Sequence, residues 1–326
     1  MNRSCRVLAL GLLAVPCAFP SARANDSAAA LAIGGITMTK SEAIRMDSED
    51  LFVSEKAVRV KYRFTNISAQ DIETLVAFPL PDHTASPVTS IPDYKELNFQ
   101  TLIDGQPAKL ELMQRAIFKG RDVTERVTRL GLPVMPLVEP FEAALKALPK
   151  AELDALVRDG LLQNIGDAKN PDWENRWVTR TIVTRRQVFP AGRTVSVEHS
   201  YVPMPGGSVG GAFNREYRNT PEFAQKRREF CVDNDFTRAF DVRQAKLKEP
   251  HAYSEVWLAY VLKTGANWAG PIGDFRLVID KGAADSLVSF CGTGVKKIGP
   301  TQFEVRYRNF VPREDLNVLI VKFSNE

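Results

Sequence analysis

The chain has 326 residues, of which 43 are Lys or Arg and 39 are Asp or Glu, so its formal charge is +4. Arg3, Arg6 and Arg23 lie in the first 24 residues, so the remainder carries 40 basic and 39 acidic side chains and a charge of +1. This balance excludes an electrostatic nucleic-acid binder. The length is sufficient for one large or two ordinary domains with their own cores.

The first 24 residues are typical of an export signal. After a short basic start, residues 7–18 form an apolar run, and Ala22-Arg23-Ala24 has the small-x-small pattern that signal peptidase recognises. The run holds about a dozen residues, whereas a membrane-spanning helix needs about 20. A lipoprotein signal ending at Cys17 is the alternative, which Pro16 disfavours. We expect cleavage after Ala24 and a periplasmic mature protein without a transmembrane segment.

The region after the signal has strand patterns. Residues 58–65 alternate apolar and polar side chains, which predicts a half-buried strand with a basic outer face. The outward side chains are Arg59, Lys61 and Arg63. We interpret them as a solvated sheet face, with an anion-binding row as the alternative. A second strand is predicted at residues 75–78. Asp104-Gly105 predicts the turn of a hairpin between residues 97–103 and 108–112.

Residues 116–174 have a helical pattern instead. Val123, Val127 and Leu130 recur at helical spacing, and two further short helices are predicted around residues 141–148 and 153–157. We interpret this segment as a helical insertion in a β protein. Such an insertion is a surface subdomain or, alternatively, a lid over a site.

Strand patterns return after the insertion. Residues 178–189 and 194–203 flank Pro190-Ala191-Gly192, which predicts a hairpin, and residues 206–211 predict a flexible glycine loop. Two charged helices are expected next, the first of them opened by Thr220-Pro221. Further strands are predicted at residues 256–263, 274–280, 287–291, 302–307 and 316–323.

These elements predict a mainly β fold with two antiparallel β-sandwich-like regions, a helical insertion and a short helical linker. The expected divisions are a signal peptide (1–24), an N-terminal β-sandwich (25–115 plus 175–205), the helical insertion (116–174), a glycine loop and helical linker (206–250), and a C-terminal β-sandwich region (251–326).

Two of the four cysteines remain after removal of the signal. Cys231 and Cys291 would lie in an oxidising compartment, where two thiols most simply form a disulfide. A metal or redox site is the rival interpretation. The chain lacks a CxxC motif, and neither cysteine has a histidine near it in sequence.

No group of residues predicts a reaction. Glu198, His199 and Ser200 are consecutive, but on a strand His199 points away from the other two and they cannot form a relay. We expect His199 to be a hydrogen-bonded histidine at the edge of the core. Asp233 and Asp235 have calcium-like spacing, although helix capping is the preferred interpretation. We therefore expect no catalytic residue, no metal site and no cofactor.

The most unusual segment joins two predicted strands and contains Asn267 and Trp268 among glycines. A tryptophan on a loop can stack on a sugar or a partner side chain, so these two residues are the candidate binding residues. The alternative is that Trp268 covers the end of the core and fixes the loop. Trp173 and Trp177 allow the same two interpretations.

Several short motifs resemble a known bacterial family. They include Ser48-Glu49-Asp50-Leu51, Tyr62-x-Phe64-x-Asn66, Phe78-Pro79-Leu80-Pro81, His199-Ser200-Tyr201 and Thr264-Gly265-Ala266-Asn267-Trp268. On these motifs the chain resembles the family catalogued as domain of unknown function 4424, which implies an exported bacterial protein and no established activity. The first half is also similar to the sandwich module of inter-α-trypsin inhibitor heavy chains, which implies a sandwich fold.

The preferred functional hypothesis is a non-enzymatic binding or structural module of the cell envelope, with an envelope protein or a glycan as its partner. The alternative is an envelope hydrolase acting on glycan or peptide, with acidic side chains that converge under the helical insertion.

Overall fold

The computed structural model describes residues 27–32, 35–84, 97–136 and 138–324. In these residues the chain is mainly β, with several antiparallel sheets and five α-helices, which confirms the predicted fold class. The predicted signal peptide and its cleavage at Ala24 lie outside the described residues.

The described strands and helices follow in chain order. The strands are β1 (Ser27–Ala32), β2 (Gly35–Thr39), β3 (Ile44–Ser54), β4 (Val58–Asn66), β5 (Ile72–Pro79), β6 (His83–Thr84), β7 (Gln100–Ile103), β8 (Gln106–Pro107), β9 (Glu111–Phe118), β10 (Arg121–Asp122), β11 (Leu162–Asn164), β12 (Trp173–Asn175), β13 (Val178–Phe189), β14 (Thr194–Tyr201), β15 (Gly206–Val209), β16 (Tyr253–Tyr260), β17 (Ile272–Asp280), β18 (Leu287–Phe290), β19 (Lys296–Lys297), β20 (Gln302–Phe310) and β21 (Leu316–Phe323). The helices are α1 (Thr124–Arg129), α2 (Val138–Ala147), α3 (Lys150–Arg158), α4 (Pro221–Glu229) and α5 (Asn234–Gln244).

Three sheets build the body of the protein. Sheet 1 has the order β10-β9-β13-β5-β1-β2, with β6 also paired to β13; sheet 2 has the order β19-β20-β17-β3-β4-β14-β7-β8; sheet 3 has the order β15-β16-β21-β18. Strands β11 and β12 form a separate two-stranded ribbon. The strands pair antiparallel, except that β3 and β17 are parallel, with Asp274 opposite Ser48 and Asp280 opposite Ser54.

The main hydrophobic core lies between the inner face of sheet 2 and the faces of sheets 1 and 3. Strand β4 shows how the sequence produces it, because Val58, Val60, Tyr62 and Phe64 are buried and the residues between them are not. Phe78 from sheet 1 and Leu258 from sheet 3 belong to the same cluster. The predicted alternation of residues 58–65 is therefore confirmed.

One group of polar side chains lies inside this core. The Tyr62 and Tyr260 hydroxyls are 2.8 Å apart, and the Tyr260 hydroxyl donates to Glu49 Oε1 at 3.2 Å. Glu49 is 1% exposed, and burial together with the neighbouring Tyr62 and Glu49 raises the pKa of Tyr260 well above its ordinary value. The network joins sheets 2 and 3, and a buried carboxylate requires hydrogen bonds of this kind.

The helical insertion packs on the end of sheet 1 through a second apolar cluster. Its helices α1, α2 and α3 contribute Val127, Phe141 and Leu156, which pack with Trp177. Trp177 is 1% exposed and donates through Nε1 to the Val134 carbonyl at 2.9 Å. Gly160, with φ +77°, lies just beyond the end of α3, where a left-handed conformation favours glycine. Trp177 is therefore an interior residue of this cluster.

Helices α4 and α5 cover the face of sheet 3 that points away from the main core. Phe236 and Phe240 of α5 pack against Tyr253 and Leu319 of the sheet. Strand β16 thus contributes side chains to an apolar cluster on each of its two faces. The disulfide between Cys231 and Cys291 is present, with Cα atoms 5.0 Å apart, and it ties the end of α4 to the end of β18.

Two predicted hairpins differ from the structure. Asp104 and Gly105 have φ values of +48° and +80° and form the predicted turn, but β8 ends at Pro107, and the chain then joins sheet 1 as β9. Proline lacks the N–H that a longer strand would need. The predicted hairpin around residues 190–192 is wrong, because β13 belongs to sheet 1 and β14 to sheet 2.

The predicted glycine loop is also wrong at its start, because residues 206–209 form the edge strand β15. A Cβ atom on Gly207 would lie 2.6 Å from the Glu255 carbonyl oxygen, so glycine allows this strand to approach β16 closely. Strand β3 was not predicted at all. The predicted domain bounds stay a prediction, although sheet 2 contains strands from both β regions.

Candidate binding groove

The predicted binding residues lie in a loop that packs on the main core. Trp268 is 0% exposed, and its ring centroid lies 4.7 Å from that of Phe64 and 6.2 Å from that of Phe189. The Asn267 carbonyl accepts a hydrogen bond from the Ser41 N–H at 2.7 Å. In this conformation the indole is not available for stacking on a ligand, and the loop is fixed as the alternative interpretation expected.

The consecutive residues Glu198, His199 and Ser200 are divided between two faces, as predicted. His199 is 2% exposed, and its Nδ1 lies 2.8 Å from the Thr101 hydroxyl. Glu198 points outward and pairs with Lys61 at 2.6 Å. The prediction of a hydrogen-bonded core histidine is confirmed.

The basic row of strand β4 lies on the exposed outer face of sheet 2. Lys61 stands in register with Glu198 of β14 and with Asp50 of β3, and Asp50 stands in register with Arg276 of β17. Arg276 contacts the Asp50 carboxylate at 3.1 Å. Opposite charges on neighbouring strands therefore balance each other, as a solvated sheet face requires.

The buried acidic side chains of the described residues lie away from the helical insertion. Among the described residues, the buried acidic side chains are Glu49 and Glu255. Glu49 belongs to the core network with Tyr260, and Glu255 pairs with Lys226 of α4 and accepts from Trp257 Nε1 at 3.0 Å. The insertion itself contacts the sheet through apolar side chains.

The two aspartates with calcium-like spacing stabilise helix α5. Asp233 is its N-cap and accepts from the Phe236 N–H at 2.7 Å, while Asp235 pairs with Arg238. The preferred capping interpretation is confirmed. Within the ranges that the structure describes, no group of three or more His, Cys, Asp and Glu side chains is placed to hold a metal ion. No helix there is long and apolar enough to cross a membrane.

A large groove lies between α5 and the end of β21. Its volume is about 580 Å³, and we call it the α5 groove. Its apolar surface comes from Ala239, Val242, Leu247 and Phe323, and its charged residues are Arg238, Arg243, Lys246 and Asp285. Val242 is 60% exposed, although it is an aliphatic side chain. The groove thus combines an apolar floor with three cations and one acid.

The sequence of α5 explains why these side chains face outward. Phe236 and Phe240 are one turn apart and are buried against sheet 3, so Val242 and Arg238 lie on other faces of the helix. Arg243 lies 5.9 Å from the centre of the Phe323 ring, and its guanidinium donates to the Asp285 carbonyl. These contacts fix one cation at the junction of the two walls.

A fourth cation lies next to the groove. The Lys281 ammonium is buried and donates to the Ala284 carbonyl at 2.7 Å. Burial lowers the pKa of Lys281, and the positive charges of Arg243 and Lys297 lower it further. This side chain holds the loop that carries Asp285.

The disulfide holds the wall of the groove. It links the turn between α4 and α5 to the end of β18, and Ser289 Oγ donates to the Phe230 carbonyl at 2.9 Å in the same place. Helix α5 is therefore tied to sheet 3 by a covalent bond as well as by its phenylalanines.

The α5 groove was not predicted from the sequence. The helix was expected, but its residue 242 is far along the chain from residues 285 and 323, which form the other side of the groove. One signal in the sequence could have indicated the groove. Val242 is an apolar residue on a charged helix, and it lies on the side of the helix away from Phe236 and Phe240.

Comparison with known proteins gives a family and a structural likeness. A family model described as "Domain of unknown function (DUF4424)" matches residues 24–319. No curated protein matches the chain. Among solved structures, the chain is similar to a "putative nutrient binding protein" from Legionella pneumophila, with 13% identity over 92% of this chain and 72% of that chain and a TM-score of 0.41. We infer nothing about this chain from a likeness at that level.

Proposed function

Because this chain belongs to the family described as domain of unknown function (DUF4424), whose description assigns no activity, we propose a function from the chain's own features. The protein is exported to the periplasm and is a non-enzymatic binding module of the cell envelope. Its ligand is an acidic, amphipathic segment of a partner protein, held in the α5 groove.

One observation carries this proposal, namely the pairing of an exposed apolar floor with an excess of cations. Val242 and Phe323 offer apolar surface, and Arg238, Arg243 and Lys246 surround it. Asp285 is the acid in the lining, and Arg238 also pairs with the exposed Asp235, so the cations still outnumber the acids. A segment with alternating acidic and apolar side chains would satisfy both parts. The cations border a concave groove, so an extended segment fits them better than the flat surface of a membrane does.

Export is supported by other features of the chain. The first 24 residues have the pattern of a cleavable signal, and the two cysteines that follow it form a disulfide. Fractionation of cells that produce the full chain, followed by mass spectrometry, should find it in the periplasm beginning at residue 25. Cytoplasmic protein with an intact first residue would refute export.

Binding can be tested with a synthetic peptide of alternating Glu and Leu and fluorescence anisotropy. We expect saturable binding that weakens with added salt, and the double variant Arg238→Ala/Lys246→Ala should bind about tenfold more weakly, because two exposed charge contacts are removed. The matched control is Arg129→Ala/Lys146→Ala in the helical insertion, which has the same charge change and should bind like the parent.

Four outcomes would contradict the proposal. Three of them are equal binding of a Lys-Leu peptide, equal loss of affinity in both double variants, and, as the third, binding of anionic vesicles without binding of the acidic peptide. The last result would indicate a membrane surface instead of a protein segment. Binding of an uncharged glycan alone would likewise exclude the acidic partner.

A further inference from the structure

A second groove lies on the outer face of sheet 2 and crosses the neighbouring strands β3, β4, β14 and β7. Its volume is about 370 Å³, which falls in the range of about 300–1,000 Å³ typical of small-molecule sites. We call it the sheet 2 groove. It shares no described lining residue with the α5 groove, and most of its lining side chains are polar. Such a lining favours a ligand that forms many hydrogen bonds.

The pairing of the four strands arranges these side chains in two rows. In each row the residues stand opposite one another on successive strands. The first row consists of Asp50, Lys61, Glu198 and Leu102, and the second of Phe52, Arg59, Ser200 and Gln100. Because side chains two residues apart on a strand point to the same side of the sheet, both rows face the groove.

The acidic side chains of the first row already have cations beside them. Lys61 Nζ lies 2.6 Å from Glu198 Oε1, and Arg276 Nη1 donates to both Asp50 carboxylate oxygens at 3.1 and 3.2 Å. These carboxylates keep further lone pairs, so they can accept from hydroxyl groups of a ligand. The charges of the first row are therefore balanced, and its remaining capacity is for neutral hydrogen-bonding groups.

The second row contains a cation that is not balanced in this way. The Arg59 guanidinium lies 4.4 Å from the centre of the Phe52 ring, and no carboxylate of the described chain pairs with it. The ring holds the guanidinium over its face, so the N–H donors are fixed beside the groove. At the other end of the row, Gln100 donates to Asn98 Oδ1 at 3.1 Å, which leaves the Gln100 carbonyl oxygen to accept.

We propose that the sheet 2 groove binds a small molecule with one carboxylate and several hydroxyl groups, as in a sugar acid. Its carboxylate accepts two parallel hydrogen bonds from Arg59, the geometry that a guanidinium favours. Its hydroxyls bond to Ser200, Gln100 and the Lys61–Glu198 pair. The acids of the first row repel a multiply charged anion, and a neutral sugar leaves Arg59 without a counter-ion. The site is independent of the proposed function of the α5 groove.

The probe for this proposal is D-glucuronate, titrated into the protein in an isothermal calorimeter. We expect saturable binding, and about tenfold or weaker binding of acetate, which lacks the hydroxyls, and of D-glucose, which lacks the carboxylate. Arg59→Gln should weaken glucuronate binding by about tenfold or more, because a charged hydrogen-bond pair is lost. Arg63→Gln is the matched control, since Arg63 is exposed on the same face of β4 but lies outside the groove, and it should bind like the parent.

A second measurement does not depend on any variant. In the ¹⁵N-labelled parent protein, glucuronate should shift the Arg59 Nε–H signal in a saturable way and leave the Arg63 signal in place. Absence of saturable binding at millimolar glucuronate, equal affinity in Arg59→Gln and the parent, or equal binding of acetate or glucose would overturn the proposal. The variant Arg238→Ala/Lys246→Ala should bind glucuronate like the parent. A loss in that variant alone would assign the sugar acid to the α5 groove and would also overturn the proposal.

Discussion

Replacing Trp268 with alanine distinguishes a structural from a binding role for the loop that the sequence singled out. The side chain is 0% exposed and packs against Phe64 and Phe189. A buried tryptophan removes about 200 Å² from water, and at about 25 cal/mol per Å² this is worth about 5 kcal/mol. Alanine keeps a small part of that area, so we expect Trp268→Ala to lower the free energy of unfolding by about 4 kcal/mol, within the range of comparable core truncations.

Urea unfolding followed by far-ultraviolet circular dichroism measures this loss without relying on tryptophan emission. Trp268→Phe is the control, because it keeps an aromatic ring beside Phe64 and should cost less than half as much. Both variants, under conditions where they are folded, should bind the acidic peptide like the parent. A stability within 1 kcal/mol of the parent, together with a loss of binding, would refute the reasoning.

Three further predictions test other parts of the structure. Replacing Cys231 and Cys291 with serine should lower the free energy of unfolding by about 4 kcal/mol in denaturant titrations, since the bridge spans 60 residues; an unchanged midpoint would contradict this. Asp233→Ala should cost about 1 kcal/mol through loss of the α5 cap, equally with calcium and with chelator, whereas a calcium-dependent difference would support a metal site. Hydrogen bonds from Arg218 lower the pKa of Asp241, so its stabilisation is present above about pH 4 and is lost as the pH falls further. Asp241→Asn should therefore destabilise the protein at pH 7 and little at pH 3, and a loss that does not depend on pH would exclude this role.

The strands that were predicted correctly have a regular sequence pattern, either alternating apolar and polar residues or many β-branched residues. Strand β4 alternates strictly, and β13 and β21 are rich in β-branched residues, so their positions agree with the sequence prediction. Strand β3 was missed because five of the six residues 45–50 are polar. A bulge between Met46 and Ser48 shifts the alternation and turns Glu49 into the core, where Tyr260 from a distant strand satisfies it. Composition alone cannot indicate that partner.

Strand pairing was less predictable than strand position. The short loop around Ala191 suggests a hairpin, but the chain crosses there from sheet 1 to sheet 2, held by the Asn66 side chain, which donates to the Phe189 carbonyl at 2.8 Å. The α5 groove could not be predicted for the same reason, because its walls come from a helix, a loop and the last strand, which are distant from one another along the chain. The choice among distant partners depends on packing, which neighbouring residues in the sequence do not encode.

The parallel pairing of β3 with β17 has a consequence for the order of folding. More than 200 residues separate Asp50 from Arg276, which face each other in the finished sheet. Contacts so distant along the chain form slowly, because a long loop must close first. Until residues 272–280 emerge, β3 has an unpaired edge in the middle of what becomes the largest sheet. A fragment ending at residue 250 should therefore aggregate through that edge, and the full chain should fold more slowly than one whose strands pair only with near neighbours.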